Sequence, residues 1–351
     1  MRRELHYGER VFTCHELRAS NVYNLLANAV SRNADGIALV CDEVRMTYAA
    51  LDAEVKNVAA GLAASGIEPG DRISILLGNG APFVVLTYAA AYLGAVTVPL
   101  NTRDQIPGIR HALQNSGAKV LVVESEFHNL VPPTEDTPDL IARFAIGATE
   151  GFNNYEELRK AARPVQLAHP KEDAVATILY TSGTTGVPKG AMLTGLGIVH
   201  SATNFVETMR LDQTDTTIVV VPMTHVTGLV AGIHTLIHCA GTIVVLREFK
   251  AAKFLEAAAE NRMTYSLMVP AMYNLCLHQA DLRDFDLSEW RIGGYGGAPM
   301  PAATIERLAN ALPNLGLMNA YGATETTSPA TIMPADQTAA RRLSVGRSVP
   351  G

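Results

Sequence analysis

Short apolar runs alternate with helix-length segments along most of the chain, and this alternation constrains the fold more than any other feature of the sequence. In the second half, apolar runs at 175–179, 217–221, 242–246, 265–268, 291–295 and 316–319 predict strands, and segments at 196–209, 227–238, 251–261, 271–279 and 302–311 predict helices. Strands separated by helices of this length favour parallel sheets that carry helices on both faces. The sequence therefore predicts an α/β fold.

The first half of the chain continues the same alternation. Leu51, Val55, Val58 and Leu62 recur at helical spacing and predict a helix that starts near residue 46 and ends at a glycine. Further strands are predicted at 72–77, 95–98, 119–123 and 144–146, and further helices at 81–93, 109–115 and 155–162. The uncharged stretch 81–100 is long enough to cross a membrane, but it contains two prolines and a glycine. We therefore predict a buried helix followed by a strand there, and no membrane span.

Length and composition limit the domain organisation and the classes of partner. The chain has 351 residues, of which 48% are hydrophobic, so it can bury a large core and is too long for one ordinary domain. We predict two stacked α/β subdomains, residues 1–165 and 166–330, followed by the start of a further region at 331–351. A formal net charge of −6 without a Lys/Arg-rich run disfavours a nucleic-acid partner. The oligomeric state is left open.

The four cysteines are scattered without close pairs, which argues against a disulfide framework and against a zinc cluster. Reduced thiols and a cytoplasmic location fit this pattern best. The first residues are charged and no apolar segment follows them, so no signal peptide is predicted.

A loop rich in glycine, hydroxyl groups and one lysine follows the predicted strand at 175–179 and has the sequence YTSGTTGVPKG at 180–190. Its glycines let the backbone turn and approach a ligand closely, while its hydroxyls and ammonium group donate hydrogen bonds. The candidates for binding phosphate oxygens are Thr181, Ser182, Gly183, Thr184, Thr185, Gly186 and Lys189. The loop is not a Walker A loop, because Pro188 and Gly190 stand where that motif needs Gly and Ser or Thr. We predict that it links a strand directly to the helix at 196–209.

This loop resembles the phosphate-binding signature of the adenylate-forming superfamily, which includes acyl-CoA synthetases, aryl-acid ligases, firefly luciferase and the adenylation domains of peptide synthetases. The sequences PGD at 69–71 and YLGAVTVPLN at 92–101 are also similar to that superfamily, although these two motifs support the fold rather than the chemistry. The resemblance runs from about residue 46 to residue 351. It implies the N-terminal domain of an acyl-CoA synthetase, with an incomplete β-barrel subdomain and without a small C-terminal domain.

A second glycine-rich segment, GGYGGAPM at 293–300, follows a predicted strand and precedes a predicted helix. Four glycines in five positions allow flat backbone to lie beside a planar ligand or an acyl chain, whereas a tight turn needs one or two. The resemblance implies that Gly296, Gly297 and Ala298 contribute to an adenine site and to one wall of an acid pocket.

The segment NAYGATET at 319–326 also follows a predicted strand. Tyr321 can stack on a purine, Thr324 can donate to a phosphate, and Glu325 is a hard carboxylate suited to Mg²⁺. The resemblance implies these same roles and adds neighbouring nucleotide-binding candidates, which are Asn319, Ala320 and Gly322.

A lone histidine, His225, stands in PMTHVTGL at 222–229. On the residues alone, a structural role and a functional role are equally open. The pattern resembles the Pro-x-x-His-x-x-Gly segment of acyl- and aryl-CoA synthetases, whose histidine lies where the acid pocket meets the thiol tunnel. Peptide-synthetase domains usually place an aspartate nearby to hold an amino group, and none stands between Pro222 and Leu229. The resemblance therefore favours a plain carboxylic acid over an amino acid. His234 and His238 have a spacing that could ligate zinc, but no third ligand accompanies them, so helix packing is favoured.

The resemblance implies ATP-dependent activation of a carboxylic acid to an acyl-adenylate, release of pyrophosphate and transfer to coenzyme A. The catalytic candidates are Lys189, Thr184, His225, Thr324 and Glu325, with ATP, Mg²⁺ and CoA as ligands. Three alternatives stay open: a fatty acyl-AMP ligase that loads an acyl carrier protein, a peptide-synthetase adenylation domain, and a non-catalytic nucleotide-binding protein. The acid, alkyl or aryl, is also open. Because the superfamily continues beyond the equivalent of residue 351 into a domain that supplies a lysine for adenylation, we expect this chain alone to turn over poorly.

Overall fold

The computed structural model describes residues 1–160, 164–181 and 187–351. Its strands are β1 (Arg2–His6), β2 (Arg10–Cys14), β3 (Ile37–Cys41), β4 (Val44–Thr47), β5 (Arg72–Leu76), β6 (Val96–Pro99), β7 (Ala118–Glu124), β8 (Ala142–Ile146), β9 (Asn153–Asn154), β10 (Val175–Thr181), β11 (Lys189–Thr194), β12 (Thr216–Val219), β13 (Thr242–Val245), β14 (Tyr265–Met268), β15 (Ile292–Tyr295), β16 (Gly316–Tyr321), β17 (Thr331–Ile332) and β18 (Arg347–Ser348).

Its helices are α1 (Val22–Asn33), α2 (Tyr48–Ala64), α3 (Ala81–Leu93), α4 (Ile106–Ser116), α5 (Glu156–Arg159), α6 (Gly195–Met209), α7 (Thr235–Cys239), α8 (Ala251–Glu260), α9 (Pro270–Gln279) and α10 (Ala302–Ala311). A π-helical stretch, Thr227–His234, leads directly into α7. Among the described residues, every helix is too short or too polar to span a bilayer. The uncharged stretch 81–100 divides into α3 and β6, as predicted.

The strands form two large sheets and one separate hairpin, β1–β2. The first sheet has the order β11-β10-β6-β5-β7-β8-β9 and is parallel except for the edge pair β10–β11. The second has the order β18-β17-β16-β15-β14-β12-β13-β3-β4, and its central strands are parallel while β4, β17 and β18 run antiparallel to their neighbours. The predicted α/β class with mostly parallel sheets is confirmed.

A shared layer of helices lies between the two sheets. Its hydrophobic core joins α1, α2, α3, α6 and α7 to residues of both sheets, for example Ile73 and Ile75 of the first and Val219 and Ile243 of the second. Nearly all of α3 is buried, because a helix between two sheets has no solvent-facing side. Helix α4 covers the outer face of the first sheet, and α8, α9 and α10 cover that of the second. The result is a five-layer stack of helices and sheets.

The structure corrects the prediction that the phosphate-loop candidate links a strand directly to a helix. Strand β11 lies between the loop and α6 and pairs antiparallel with β10. Gly190 is required in this pair, because a Cβ there would come within 2.7 Å of Cγ2 of Ile178. Among the residues of β11 only Leu193 is buried, so this edge strand lacks the alternating apolar pattern that would have predicted it.

The N-terminal third holds elements that the sequence analysis missed, namely the hairpin β1–β2, helix α1 and strands β3 and β4. The single helix predicted at 227–238 is a π-helical stretch followed by α7, and the one predicted at 155–162 is the shorter α5, while residues 161–163 lie outside the described part. The predicted subdomain boundary at 165/166 stays a prediction. Each of the two large sheets, however, contains strands from both sides of this boundary. Strands β3 and β4 pair in the second sheet, and β10 and β11 in the first.

Burial of His234 makes the stability of the fold depend on pH. Its fully buried side chain shares a hydrogen bond of 3.0 Å with the Tyr88 hydroxyl, and burial lowers the pKa of the imidazole to about 3. An unfolded histidine titrates near pH 6.5, so between about pH 6.5 and pH 3 the unfolded chain binds a proton that the folded chain does not. Acidification through this window therefore favours unfolding.

We expect His234→Gln to flatten the pH dependence of the unfolding free energy between pH 6.5 and pH 4 by up to about 1.4 kcal/mol per pH unit, since one titrating group is removed. Urea unfolding followed by circular dichroism at several pH values measures this slope, even if the variant is less stable at every pH. His278→Gln, at an exposed position on α9, is the matched control and should leave the slope unchanged. Equal slopes in wild type and His234→Gln would contradict the assignment.

Candidate functional site

The ends of β10 and β11 frame the candidate phosphate loop. Thr181 and Lys189 are register partners, and the Thr181 hydroxyl donates to the Lys189 carbonyl oxygen at 3.5 Å. Lys189 is exposed at the start of its strand. Five candidates from the sequence, Ser182, Gly183, Thr184, Thr185 and Gly186, lie outside the described residues, and their roles stay predictions.

Helix α4 braces this hairpin from the outer face of the first sheet. Nε2 of His111 donates to the Pro188 carbonyl oxygen at 3.0 Å, and the Tyr180 hydroxyl donates to Oδ1 of Asn115 at 2.7 Å. The rings of His111 and Tyr180 also meet edge to face, with centroids 6.0 Å apart. These contacts fix the backbone on both sides of the loop, immediately before Thr181 and immediately before Lys189. Sequence reasoning missed them, because the residues that meet are far apart in the chain.

The glycine-rich segment after β15 lies directly against the end of β16. A Cβ on Gly296 would come within 2.5 Å of the Ala320 carbonyl oxygen, so only glycine allows the two backbones to approach this closely. Gly297 has φ +77°, in the left-handed region that favours glycine, and both it and Ala298 are exposed. The Tyr273 hydroxyl donates to the Gly294 carbonyl oxygen at 2.8 Å and holds the strand from behind. Two of the predicted segments are therefore neighbours.

Strand β16 ends at Tyr321, whose side chain is 53% exposed, and a 3-10 turn at Thr324–Thr326 follows. The Ala323 amide donates to the Thr326 hydroxyl at 3.0 Å, which closes the turn and leaves Glu325 exposed. Gly322 packs close to Ser328, since a Cβ there would lie 2.8 Å from its hydroxyl oxygen. Ala320 is buried and Asn319 is half-buried, and both lie within the strand itself.

The hairpin of the first sheet meets the turn of the second. Residues of β11 lie within 8 Å, Cα to Cα, of the turn Thr324–Thr326. Met192 and Thr194 of β11 and Glu325 of the turn line one cavity of about 650 Å³. Lys189 begins the strand that forms this wall, although its own side chain is outside the lining. The structure thus places the strand that follows the candidate phosphate loop close to the turn that carries the candidate metal ligand.

Asn79 ties the two sheets together at the carboxyl ends of their strands. It follows β5 of the first sheet, and its side-chain amide donates to the carbonyl oxygens of Val221 and Leu246, at 3.0 and 3.3 Å, beyond two strands of the second. The Met223 amide donates back to Oδ1 of Asn79 at 2.9 Å. The segment that carries His225 is therefore anchored through this buried amide. Asn79 stands in the sequence as a polar residue between an apolar strand and an apolar helix. This pattern could have indicated its role, but the sequence analysis did not use it.

His225 lies on the exposed side of this anchored turn. Its amide donates to the Pro222 carbonyl oxygen at 3.1 Å, and its own carbonyl oxygen accepts from Leu229 at 2.9 Å. Partial burial lowers the pKa of the imidazole, and Asp104 opposes this shift by favouring the charged form. Because the residue is exposed, water screens both effects. Gly228 completes the turn, since a Cβ there would lie 2.4 Å from the Pro222 carbonyl oxygen.

The other two histidines singled out in the sequence pack inside the helical layer. His234 meets Tyr88, and Nε2 of His238 lies 3.3 Å from the Thr203 hydroxyl. Burial lowers the pKa of His238 to about 4, so its imidazole is neutral near pH 7. The packing role favoured for this pair fits both environments.

Comparisons with known proteins show what this chain is similar to. A family model described as AMP-binding enzyme matches residues 26–351. The chain is similar to the long-chain-fatty-acid–CoA ligase FadD13 of Mycobacterium tuberculosis (strain ATCC 25618 / H37Rv), with 32% identity over 87% of this chain and 60% of that protein. It is also similar to a feruloyl-CoA synthase of Streptomyces sp., with 33% identity over 80% of this chain and 54% of that protein. The chain thus spans 54–60% of the length of these curated relatives.

Solved structures show the same architecture. The inhibitor-bound N-terminal domain of FACL13 from Mycobacterium tuberculosis matches with a TM-score of 0.87 at 29% identity, over 94% of this chain and 82% of that chain. The anthranilate CoA ligase AuaEII, in complex with anthranoyl-AMP, matches with a TM-score of 0.88 at 22% identity, over 96% of this chain and 65% of that chain. At that identity, the second likeness shows the fold alone.

We expect Asn79→Ala to lower the unfolding free energy by about 2–4 kcal/mol, because it leaves a buried amide and two buried carbonyl oxygens without partners. Urea unfolding at neutral pH measures the loss. Asn310→Ala on the exposed side of α10 is the matched control and should change the free energy by less than about 1 kcal/mol. An equal effect of the two substitutions would show that Asn79 does not hold the two sheets together.

We expect His111→Phe to weaken ATP binding about threefold to tenfold while the protein stays folded. Phenylalanine keeps a ring beside Tyr180 but cannot donate to the Pro188 carbonyl, so about one hydrogen bond that orders the loop is lost. Calorimetric titration with ATP measures the affinity, and thermal unfolding checks the fold. His128→Phe, at an exposed position away from the loop, is the control. Unchanged ATP affinity in His111→Phe would show that this contact does not position the loop.

Proposed function

The chain belongs to the AMP-binding enzyme family, and from that premise we propose that the complete protein activates a carboxylic acid with ATP and transfers it to coenzyme A. In the first step a carboxylate oxygen attacks the α-phosphorus of ATP, the bond to pyrophosphate breaks, and an acyl-adenylate forms. In the second step the thiol of coenzyme A attacks the acyl carbon and AMP leaves. The two curated relatives described above carry the names of a fatty-acid CoA ligase and a feruloyl-CoA synthase.

One observation carries this proposal. Strand β11, which Lys189 begins, lies within 8 Å of the turn that bears Glu325, although the two come from different sheets and distant parts of the chain. A triphosphate with its metal needs a cation and a carboxylate in one region, and the proximity of the two segments supports this arrangement.

Each candidate residue would have a role that follows from its chemistry. Attack of one anion on another is slow chiefly because of charge, so the Lys189 ammonium would stabilise the phosphate oxygens as negative charge builds on them. Thr181 and Thr324 would donate hydrogen bonds to phosphate oxygens, and Tyr321 would stack on adenine from its exposed position. The backbone at Gly296, Gly297 and Ala298 would form the flat wall beside base and acid. His225 would orient the carboxylate or the incoming thiol, since a carboxylate needs no deprotonation.

Mg²⁺ fits the donor set at the turn. Glu325 offers an exposed carboxylate that faces the cavity, and oxygen ligands of this kind suit a hard cation. When bound, Mg²⁺ would neutralise charge on the phosphate groups.

The identity of the acid depends on the surroundings of His225. The sequence argument against an amino acid was the lack of an aspartate at 222–229. Asp104, from the segment before α4, interacts electrostatically with His225, so a carboxylate reaches this turn from elsewhere in the chain. Amino acids therefore belong in the substrate panel beside alkyl and aryl acids, and we propose the plain acids as the better substrates.

We expect Lys189→Ala and Glu325→Ala each to lower kcat/KM for acid-dependent pyrophosphate release about 10²–10³-fold in the complete protein, because each removes charge that stabilises the transition state. Excess Mg²⁺ should restore part of the activity of Glu325→Ala only. Lys171→Ala and Glu306→Ala, both exposed outside this region, are the matched controls. Full activity in either site variant, or no pyrophosphate release with any acid of the panel, would contradict the proposal.

The thiol acceptor is tested separately. With the preferred acid, thioester formation is measured with coenzyme A and with a phosphopantetheinylated acyl carrier protein. Faster transfer to coenzyme A is expected, and transfer to the carrier alone would assign the protein to the acyl-AMP ligases instead.

A further inference from the structure

The N-terminal hairpin gathers three side chains of metal-binding type. Glu4 and His6 project from one face of β1, because residues two apart share a face, and Cys14 is the register partner of Arg2 on that same face. One ligand atom from each of Glu4, His6 and Cys14 lies within 4.8 Å of the other two. The cluster is shielded from solvent, with His6 only 7% exposed and Cys14 only 1%.

The His6 imidazole is oriented toward this cluster by a carboxylate on its other side. Its Nδ1–H donates to Oδ1 of Asp173 at 2.6 Å, and its Nε2 lies 3.4 Å from Oε2 of Glu4. In the part of the chain that the structure describes, Nε2 forms no hydrogen bond although its side chain is buried. A carboxylate that fixes the tautomer of a histidine in this way is the usual support of a metal-ligating imidazole.

The charges around the cluster leave Glu4 able to act as a ligand. Arg18 donates to both Glu4 oxygens, at 3.0 and 2.6 Å, and these charge-assisted hydrogen bonds favour the ionised carboxylate. The same guanidinium donates to both oxygens of Glu172 at 2.7 Å, which divides its charge between two carboxylates. Arg2 also donates to Oε1 of Glu4 at 3.0 Å, so Oε1 accepts two hydrogen bonds. Oε2 accepts one hydrogen bond and keeps a further lone pair, because a carboxylate has about four acceptor positions.

We propose that Glu4, His6 and Cys14 form a site for a divalent metal ion, with Zn²⁺ as the preferred occupant. Thiolate, imidazole and carboxylate together are a zinc ligand set, and three protein ligands leave the fourth position to water. Ligand atoms on one tetrahedral zinc lie about 3–4 Å apart, so small side-chain rotations close the observed spacing. Zinc binds the thiolate, so the Cys14 thiol loses its proton on binding and the affinity increases with pH.

The site would tie the hairpin to the body of the protein. Asp173 lies just before β10, and its Oδ2 also accepts from the Tyr7 amide at 2.7 Å. A metal on His6 would therefore link β1, β2 and the start of the strand that carries Thr181. It would lie beside the cavity that Glu325 lines, because Cys14 lines the same cavity. The spacing of the cysteines did not indicate this site, because only one of its three ligands is a cysteine.

The test is titration of tag-free, chelator-treated protein with Co²⁺ as a spectroscopic substitute for Zn²⁺. Wild type should bind one Co²⁺ and show thiolate-to-cobalt charge-transfer absorption. Cys14→Ser should abolish that absorption, while Cys41→Ser, at a cysteine outside the cluster, should retain it. Asp173→Asn keeps all three ligands and should weaken binding about 10–100-fold, since it removes the support of the imidazole.

Two outcomes would overturn the proposal: wild type without the absorption, or equal absorption in Cys14→Ser. If Cys14→Ser does not fold, the rise in thermal unfolding temperature on addition of Zn²⁺ decides the question in His6→Gln and Asp173→Asn. The rise should be absent in His6→Gln and reduced in Asp173→Asn. Equal rises in wild type and both variants would show adventitious binding only.

Discussion

Burial of one helical layer between two sheets is the constraint on which the rest of the structure depends. Each sheet covers one side of that layer, and the apolar faces of both are satisfied only when they pack against the same helices. The hydrogen bonds of Asn79 then fix how the sheets align, because they join the carboxyl end of β5 to those of β12 and β13. The loops that follow strands of different sheets consequently face the same side of the molecule, where α/β proteins bind their ligands.

Packing explains part of each sequence motif, and this part is separate from ligand binding. Gly190, Gly228, Gly296 and Gly322 each stand where a Cβ would meet a neighbouring side chain or backbone at less than 3 Å. These glycines are required to bring chain segments together, whatever the ligand. Another group is exposed and has no comparable packing role: Lys189, Gly297, Ala298, Tyr321 and Glu325. Each motif is distinctive because a few consecutive residues combine glycines that packing requires with exposed residues that could bind a ligand.

The alternation of strands and helices could be predicted because buried parallel strands and amphipathic helices leave strong periodic patterns. Strand β11 and the N-terminal hairpin could not, since edge strands with one buried face or none are weakly patterned. The chemical types of the site residues were visible in the sequence, but the residues that position them were not. His111 reaches Pro188, and Asn79 reaches Val221, through contacts between distant parts of the chain. Local propensity carries no information about such contacts, and the resemblance gave the family's motifs rather than their supports.

The exposure of the candidate site residues limits what their charges can do in this structure. Two unit charges 4 Å apart interact by only about 1 kcal/mol in water, and by about 4 kcal/mol at the lower effective dielectric of a protein surface. Lys189 and Glu325 are exposed, so in their proposed roles they would attract a triphosphate and its metal from water but would stabilise a transition state weakly. The proposed attack of a carboxylate on a phosphate needs the larger effect. The proposed chemistry therefore requires that water be excluded from these residues once the substrates are bound, because the same charges then act with greater strength.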